Sequence, residues 1–229
     1  MSLRIALFTD SYLPTVDGVV NSVLTTRREL EARGHRVFVF APEDPSNGHH
    51  TEPNTFYVKA KAFRRYPGYR LAIFPGHEID EVNALDLDII HSHGIGFMGI
   101  KGIWCSWATK TPFVQTYHTL VQEAMPFYSP IGLNLHLLER GLRLYLRVFL
   151  NRCAGVVVPT RAILREVLSL APTARISGVI PTGIDPNRFH PGLSGYSVRS
   201  QWGLNGHDVF LHVGRISPEK NLSTVINAF

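Results

Sequence analysis

No apolar run among the 229 residues reaches the roughly 18 needed for a membrane-spanning helix. No secretory leader is expected either, because Arg4 runs straight into the strand-like Ile5-Ala6-Leu7-Phe8. Cysteine is scarce: Cys105 and Cys153 are the only two, far apart and without metal-like spacing. Buried free thiols in a reducing cytoplasm are therefore the expectation, ahead of a disulfide. What remains is 45% hydrophobic and 18% charged, an ordinary globular balance with enough chain for one large domain or one and a half.

Acidic side chains are absent from one further stretch. Residues 59–70 read KAKAFRRYPGYR, and their five basic residues equal the whole formal net charge of +5. Arg64 and Arg65 sit at its centre, with Phe63, Tyr66 and Tyr69 interleaved. Basic and aromatic residues together suit an anionic membrane surface, and they also suit a single-stranded nucleic acid. A solvated loop with inward-packed aromatics is the ordinary alternative. Nucleic acid is the weakest of the three, because no recognisable binding motif accompanies the patch. The expected location is cytoplasmic, with a peripheral site on the inner face of the cell membrane.

Ile5 to Thr9 reads as a strand buried on both faces. It leads through Asp10-Ser11-Tyr12-Leu13-Pro14-Thr15-Val16-Asp17 into a helix from about Gly18 to Arg33. A helix start exposes unpaired N–H groups and the positive end of the dipole. Glycine there lets an anion approach the backbone, so Gly18 marks either a phosphate-facing loop or merely a turn. Val20, Val23, Leu24 and Leu30 form the inner stripe, and Gly34 supplies the stop. Val37 to Phe40 is the next strand, giving a strand–helix–strand crossover unit and a parallel sheet.

Residues 43–80 look irregular. Strands return at Leu87 to His91, Phe113 to Tyr117, Gly155 to Val158 and Ile176 to Ile180, with helices at Gly99 to Ala108, Ser129 to Arg152 and after Thr160. Strand after strand ends in a polar cluster, such as His91-Ser92-His93-Gly94 and His118-Thr119. That is the pattern of a Rossmann-like, doubly wound, mostly parallel α/β sheet whose ligands lie beyond the carboxyl ends of its strands. On the Ser129–Arg152 helix, His136, Arg140, Arg143 and Arg147 share a narrow arc among leucines and aromatics. The helix is either a core helix with one solvated stripe or one that meets lipid with part of its apolar face. The expected domains are residues 1–190, a Pro- and Gly-rich linker at 191–208, and the start of a second, truncated Rossmann-like domain at 209–229. Within the last, Val209 to Val213 reads as a buried strand and Asn221 as a helix cap.

Four segments in order are TDSYLPTVDGVVNS, QTYHT, VIPTGIDPNRF and VGRISPEKNL. Together they resemble the retaining, nucleotide-sugar-dependent glycosyltransferases of the two-Rossmann-domain GT-B type. Within that family the opening loop, the basic loop running into YRLAIFP, and TYHT look most like diacylglycerol glucosyltransferases and phosphatidylinositol mannosyltransferases. The resemblance implies that a hexose passes from a nucleotide diphosphate sugar (UDP- or GDP-hexose) to a membrane lipid acceptor, without a cofactor or a metal. Arg215 and Lys220 would clamp the diphosphate, Gly18 would approach it from the first domain, and His118 would meet the donor sugar. Asp10, Tyr12 and Asp17 in the opening loop, His91, His93, Thr160 and Arg161 are the looser acceptor or cleft candidates. His-x-His is also a metal-like spacing, but cleft lining or packing is the stronger reading. Arg64, Arg65, Arg140, Arg143 and Arg147 are the membrane-facing candidates, and nucleic acid is not an expected partner. The acidic residues with which the family grips donor sugar and ribose are not in this half, so the 229-residue chain alone is expected to be inactive. A soluble enzyme acting on a sugar or metabolite, or a non-catalytic nucleotide- or sugar-binding module, are the alternatives.

Overall fold

The computed structural model describes residues 1–44, 52–63, 69–73, 76–118, 135–214, 216 and 220–228, with only the backbone of Leu135. Arg64, Arg65, Arg215 and the expected helix start at Ser129 lie outside the described residues.

Apolar runs in the sequence become the strands of one parallel sheet. In chain order they are β1 (Arg4–Phe8), β2 (Arg36–Pro42), β3 (Thr55–Val58), β6 (Ile89–Ser92), β7 (Phe113–Thr116), β8 (Gly155–Val158) and β9 (Ile176–Val179). They lie side by side as β3-β2-β1-β6-β7-β8-β9, and every neighbouring pair is parallel. Winding runs one way from β1 to β3 and the other way from β6 to β9, so the order reverses between β1 and β6. Beside this sheet, β4 (Ala60–Ala62) and β5 (Arg70–Ala72) form a two-stranded antiparallel ribbon.

Both faces of the sheet are covered, which is why its strands carry little polarity. Ala6, Phe8, Phe38 and Phe40 point into one apolar cluster, while Ile5, Leu7, Val37 and Val39 point into the other. Phe40 is stacked between Phe8 and Phe56, with ring centroids 4.6 and 4.7 Å away. On the Phe8 side the cover comes from α3 (Phe97–Thr109), α4 (Leu135–Asn151) and α5 (Arg161–Leu170). Across the sheet, α1 (Gly18–Ala32) buries Val20 and Val23, with Leu24 and Leu30 packed at the edge. Gly34, at φ 83°, ends α1 in a Schellman turn: its N–H donates to Glu31 O, and the His35 N–H donates to Leu30 O.

Between residues 43 and 80 the structure is more regular than its prolines suggest, since β3, β4, β5 and α2 (Glu78–Ala84) all fall there. α2 is acidic and buries only Glu78 and Val82. It is tied to α3 by the buried ion pair between Glu78 Oε2 and Lys101 Nζ at 2.9 Å. Cys105 and Cys153 are both buried and unbridged.

The chain divides into two compact units, Met1–Gly183 and Ile184–Phe229. In the second, α6 (Tyr196–Gln201) occupies part of the expected linker, and α7 (Leu222–Asn227) follows Asn221. Two expectations are corrected here. Val209 to Val213 forms no strand and is exposed throughout, because no neighbouring strand stands beside it among the described residues. Asn221 takes the cap position at φ 47° without a side-chain cap bond, and its Oδ1 accepts instead from the Ser223 hydroxyl at 3.2 Å.

Candidate active site at the reversal of the sheet

Strand order reverses between β1 and β6, and at such a point the two following loops splay to opposite faces and leave a crevice. The opening loop leaves from β1 and the His91-Ser92-His93-Gly94 segment from β6, with the Tyr117-His118 end of β7 next along the edge. The His93 N–H donates to Phe8 O at 2.8 Å and the Thr9 N–H to Phe40 O at 3.1 Å, so the ladder continues into the loops.

Three histidines meet there. His93 is almost fully buried, its Nδ1 lies 3.0 Å from His118 Nε2, and its ring centroid is 4.4 Å from that of His91. His91 Nε2 pairs with the Thr116 hydroxyl at 2.7 Å. Burial disfavours the imidazolium in each case. It lowers His91 to about 4, helped by the nearby His118. His118 also falls to about 4 by burial, with Asp17 pulling weakly the other way, and His93 is held well below its ordinary range. All three are therefore neutral at pH 7, able to hydrogen-bond but not to act as fixed cations. Among the described residues no group of three or more His, Cys, Asp or Glu side chains has the arrangement to hold a metal ion.

Asp10 stands beside them, buried at the end of β1. Its Oδ2 accepts from the Gly96 N–H and its Oδ1 from the Met98 N–H, both at 2.9 Å, while Tyr69 hydrogen-bonds the same carboxylate. Asp10 thus caps α3 from the end of the neighbouring strand. Burial raises its pKa, against the pull of those hydrogen bonds. Asp17 caps α1, its Oδ1 accepting from the Val20 N–H at 2.8 Å. Gly18 follows in open space, with nothing among the described residues within 4 Å of where a Cβ would be. The buried Tyr12 donates its hydroxyl to Glu52 at 3.0 Å and receives Arg27 at 3.1 Å, a network joining α1 to the approach of β3. Thr160 caps α5 by accepting from the Ile163 N–H at 3.2 Å, and Arg161 beside it is exposed. In the second unit, Lys220 is exposed just before α7.

The structure therefore brings His91, His93, His118, Asp10 and Asp17 to one end of the sheet, and commits Tyr12 to the network with Arg27 and Glu52 and Thr160 to its helix cap. Gly94 and Gly96, which make room for Asp10, were not among the sequence's site candidates, and Tyr69, which reaches it, was named only as an aromatic of the basic loop. The one signal for the two glycines was their spacing after a strand end.

A different face carries the basic stripe. His136, Arg140, Arg143 and Arg147 are all exposed on α4. Leu137, Leu144 and Val148, 71%, 63% and 42% exposed, run alongside at helical spacing. α3 adds exposed Phe97, Ile100, Trp104 and Trp107, and the Arg152 guanidinium lies 4.9 Å over the Trp107 ring. No helix among the described residues is long and apolar enough to cross a membrane.

With this geometry in place, comparison with known proteins is informative. The profile of Glycosyltransferase Family 4 matches residues 16–188. The alpha-monoglucosyldiacylglycerol synthase of Streptococcus pneumoniae is 32% identical over 99% of this chain and 52% of its own length. The synthase of the same name from Acholeplasma laidlawii is 27% identical, over 99% of this chain and 59% of its own length. The GDP-mannose-dependent alpha-mannosyltransferase of Mycolicibacterium smegmatis is 24% identical, over 96% and 58%. The chain thus spans about half the length of the curated relatives it matches. Among solved structures, sucrose-phosphate synthase from Thermosynechococcus elongatus shares the fold at TM-score 0.65 and 19% identity, over 99% of this chain and 59% of that one. The catalytic domain of Starch Synthase IV from Arabidopsis thaliana does so at TM-score 0.53 and 14% identity, over 100% and 66%. The doubly wound sheet, the loops at its reversal and a family match over most of the chain agree: it belongs to Glycosyltransferase Family 4, the retaining GT-B glycosyltransferases.

Proposed function

We propose that this chain carries the acceptor-side half of an enzyme that moves a hexose from a nucleotide diphosphate sugar to a membrane lipid, with retention of configuration. In that reaction the bond from the anomeric carbon to the β-phosphate oxygen breaks, and its electron pair leaves with the nucleoside diphosphate. The acceptor hydroxyl oxygen bonds to the same face of the carbon, and its proton passes to the departing phosphate. Charge builds on that phosphate, so fixed donors aimed at it lower the barrier. His118 is the residue proposed to meet the sugar, and Gly18, Arg215 and Lys220 are proposed for the diphosphate on the order of their motifs. UDP- and GDP-hexoses are the candidate donors.

The observation that carries the reading is the neutral, half-buried His118 at the reversal of the sheet, inside the family-matched segment. A lipid acceptor is supported by relatives named for diacylglycerol and by the face where exposed tryptophans adjoin a basic helix. Tryptophan at the headgroup level and arginine over anionic lipid are the side chains such a surface uses. The test is a donor screen with the full-length protein on diacylglycerol-containing vesicles. Consumption of one nucleotide sugar and its loss in His118→Ala are expected. Transfer only to soluble sugars would overturn the lipid assignment, and full turnover by His118→Ala would overturn the role of His118.

A further inference from the structure

The contact between His93 and His118 fixes more than a distance. A neutral imidazole has one N–H and one lone pair, so the 3.0 Å approach of His93 Nδ1 to His118 Nε2 requires one ring to donate and the other to accept. The other nitrogen of His93, Nε2, is buried and finds no hydrogen-bond partner among the described residues. Orphaned buried N–H groups are rarer and costlier than under-used acceptors. The proton of His93 therefore belongs on Nδ1, where it has an acceptor.

We infer that His93 is a positioning residue: its Nδ1–H donates to His118 Nε2 and thereby holds the His118 proton on Nδ1, as a donor toward the substrate. The consequence for the donor sugar rests on the role proposed for His118; the tautomer itself does not. With its proton on Nε2, His118 would offer Nδ1 only as an acceptor, of no use to a sugar oxygen or phosphate gaining negative charge. Among the described residues His118 Nδ1 makes no hydrogen bond, so it is available for that task. The charged and titratable groups around the pair are His91, whose ring is tilted 35° to that of His93 with centroids 4.4 Å apart, and Asp17, which favours a positive charge on His118. Burial outweighs Asp17, so both rings are neutral and the tautomer is well defined over the physiological range. His91 is anchored separately through the Thr116 hydroxyl and packs its tilted ring against His93.

Nitrogen-15 spectra of the full-length protein, labelled on histidine, test this directly, with His118 identified by its loss in His118→Ala. The expected pattern is a protonated Nδ1 and a bare Nε2 on His118. His93→Asn keeps a donor N–H close to the Nδ1 position, and it should retain the pattern and most of kcat. His93→Phe removes the donor and should release the tautomer while lowering kcat by about ten- to a hundredfold, the size of one good hydrogen bond to a developing charge, with acceptor KM unchanged. A wild-type His118 protonated on Nε2 would overturn the inference, as would an unaltered tautomer in His93→Phe. If His93→Phe fails to fold, the wild-type and His93→Asn spectra still decide it. A correct tautomer combined with a fully active His118→Ala would leave the positioning intact and remove only the role of His118 in transfer.

Discussion

Gly94 and Asp10 are packed so closely that a Cβ on Gly94 would stand 2.0 Å from Asp10 Oδ2 and 2.6 Å from its Cγ. The carboxylate cannot swing away, because both its oxygens hold backbone N–H groups at the start of α3. Gly94→Ala should therefore cost roughly 1–3 kcal/mol, as overpacking of a rigid site does, and lower the urea midpoint of unfolding. Asp10→Ala should also destabilise, by leaving the Gly96 and Met98 amides unpaired. Combining the two should cost less than their sum, because the second change relieves the clash of the first. Strict additivity would show that the 2.0 Å approach is not what makes glycine necessary.

Gly18 is the opposite case. Nothing among the described residues lies within 4 Å of its missing Cβ, so Gly18→Ala should leave stability unchanged or raise it by about 0.5 kcal/mol, alanine losing less backbone freedom on folding. Should the backbone here approach a phosphate, the same methyl will raise the KM for the nucleotide sugar. A thermal midpoint and a donor titration on one variant separate the two effects. An unmoved KM would take Gly18 out of the donor contact.

The histidine cluster makes stability depend on pH with a definite sign. His91 and His118 fall from an ordinary 6.5 to about 4 on folding, and His93 is also lowered well below 6.5. Between those values the unfolded chain binds more protons than the folded one, so stability is full above about pH 6.5 and is lost as pH falls toward 4. Asp10 works in the opposite sense, because burial raises its pKa and its protonation favours the folded state as pH falls through the carboxylate range. Urea midpoints from pH 8 to 4.5 should therefore decline, and less steeply in His118→Ala. A flat profile would mean the cluster is open to water.

The exposed face of α3 and α4 predicts salt-sensitive binding to anionic vesicles. Arginine near such a surface is worth about 1 kcal/mol each, so changing Arg140, Arg143 and Arg147 to Glu should weaken binding by a hundredfold or more. Trp104→Ala with Trp107→Ala should remove a blue shift in fluorescence on vesicle addition while leaving the salt dependence. Arg64→Glu with Arg65→Glu is the comparison that assigns the share of the basic loop. Sedimentation with neutral and anionic vesicles measures all three, and equal binding to both would sink the electrostatic account.

What could be read along the chain was whatever neighbouring residues decide among themselves. The apolar runs at Ile5, Val37, Phe113 and Gly155, the helix stop at Gly34 and the cap at Thr160 are local, and the structure places each close to its expected bounds. Short elements were hidden for an equally local reason. β3 is four residues among prolines, β4 and β5 are three each, and α2 is a seven-residue acidic turn that buries two side chains. None of these is long enough to show a period. Val209 to Val213 taught the converse: an apolar run is a strand only where partners supply its hydrogen bonds.

Sequence alone determined the class of fold and the family, because alternating elements and the spacing of polar strand ends are written in consecutive residues. The tertiary structure decided which candidates share a site. Asp10 caps a helix through residues 86 and 88 positions away. Tyr12 joins Arg27 and Glu52, 15 and 40 positions away. His93 meets His118 across 25. Those pairings follow from the order and register of the strands, and strand order is set by packing across the whole sheet rather than by any one stretch of chain.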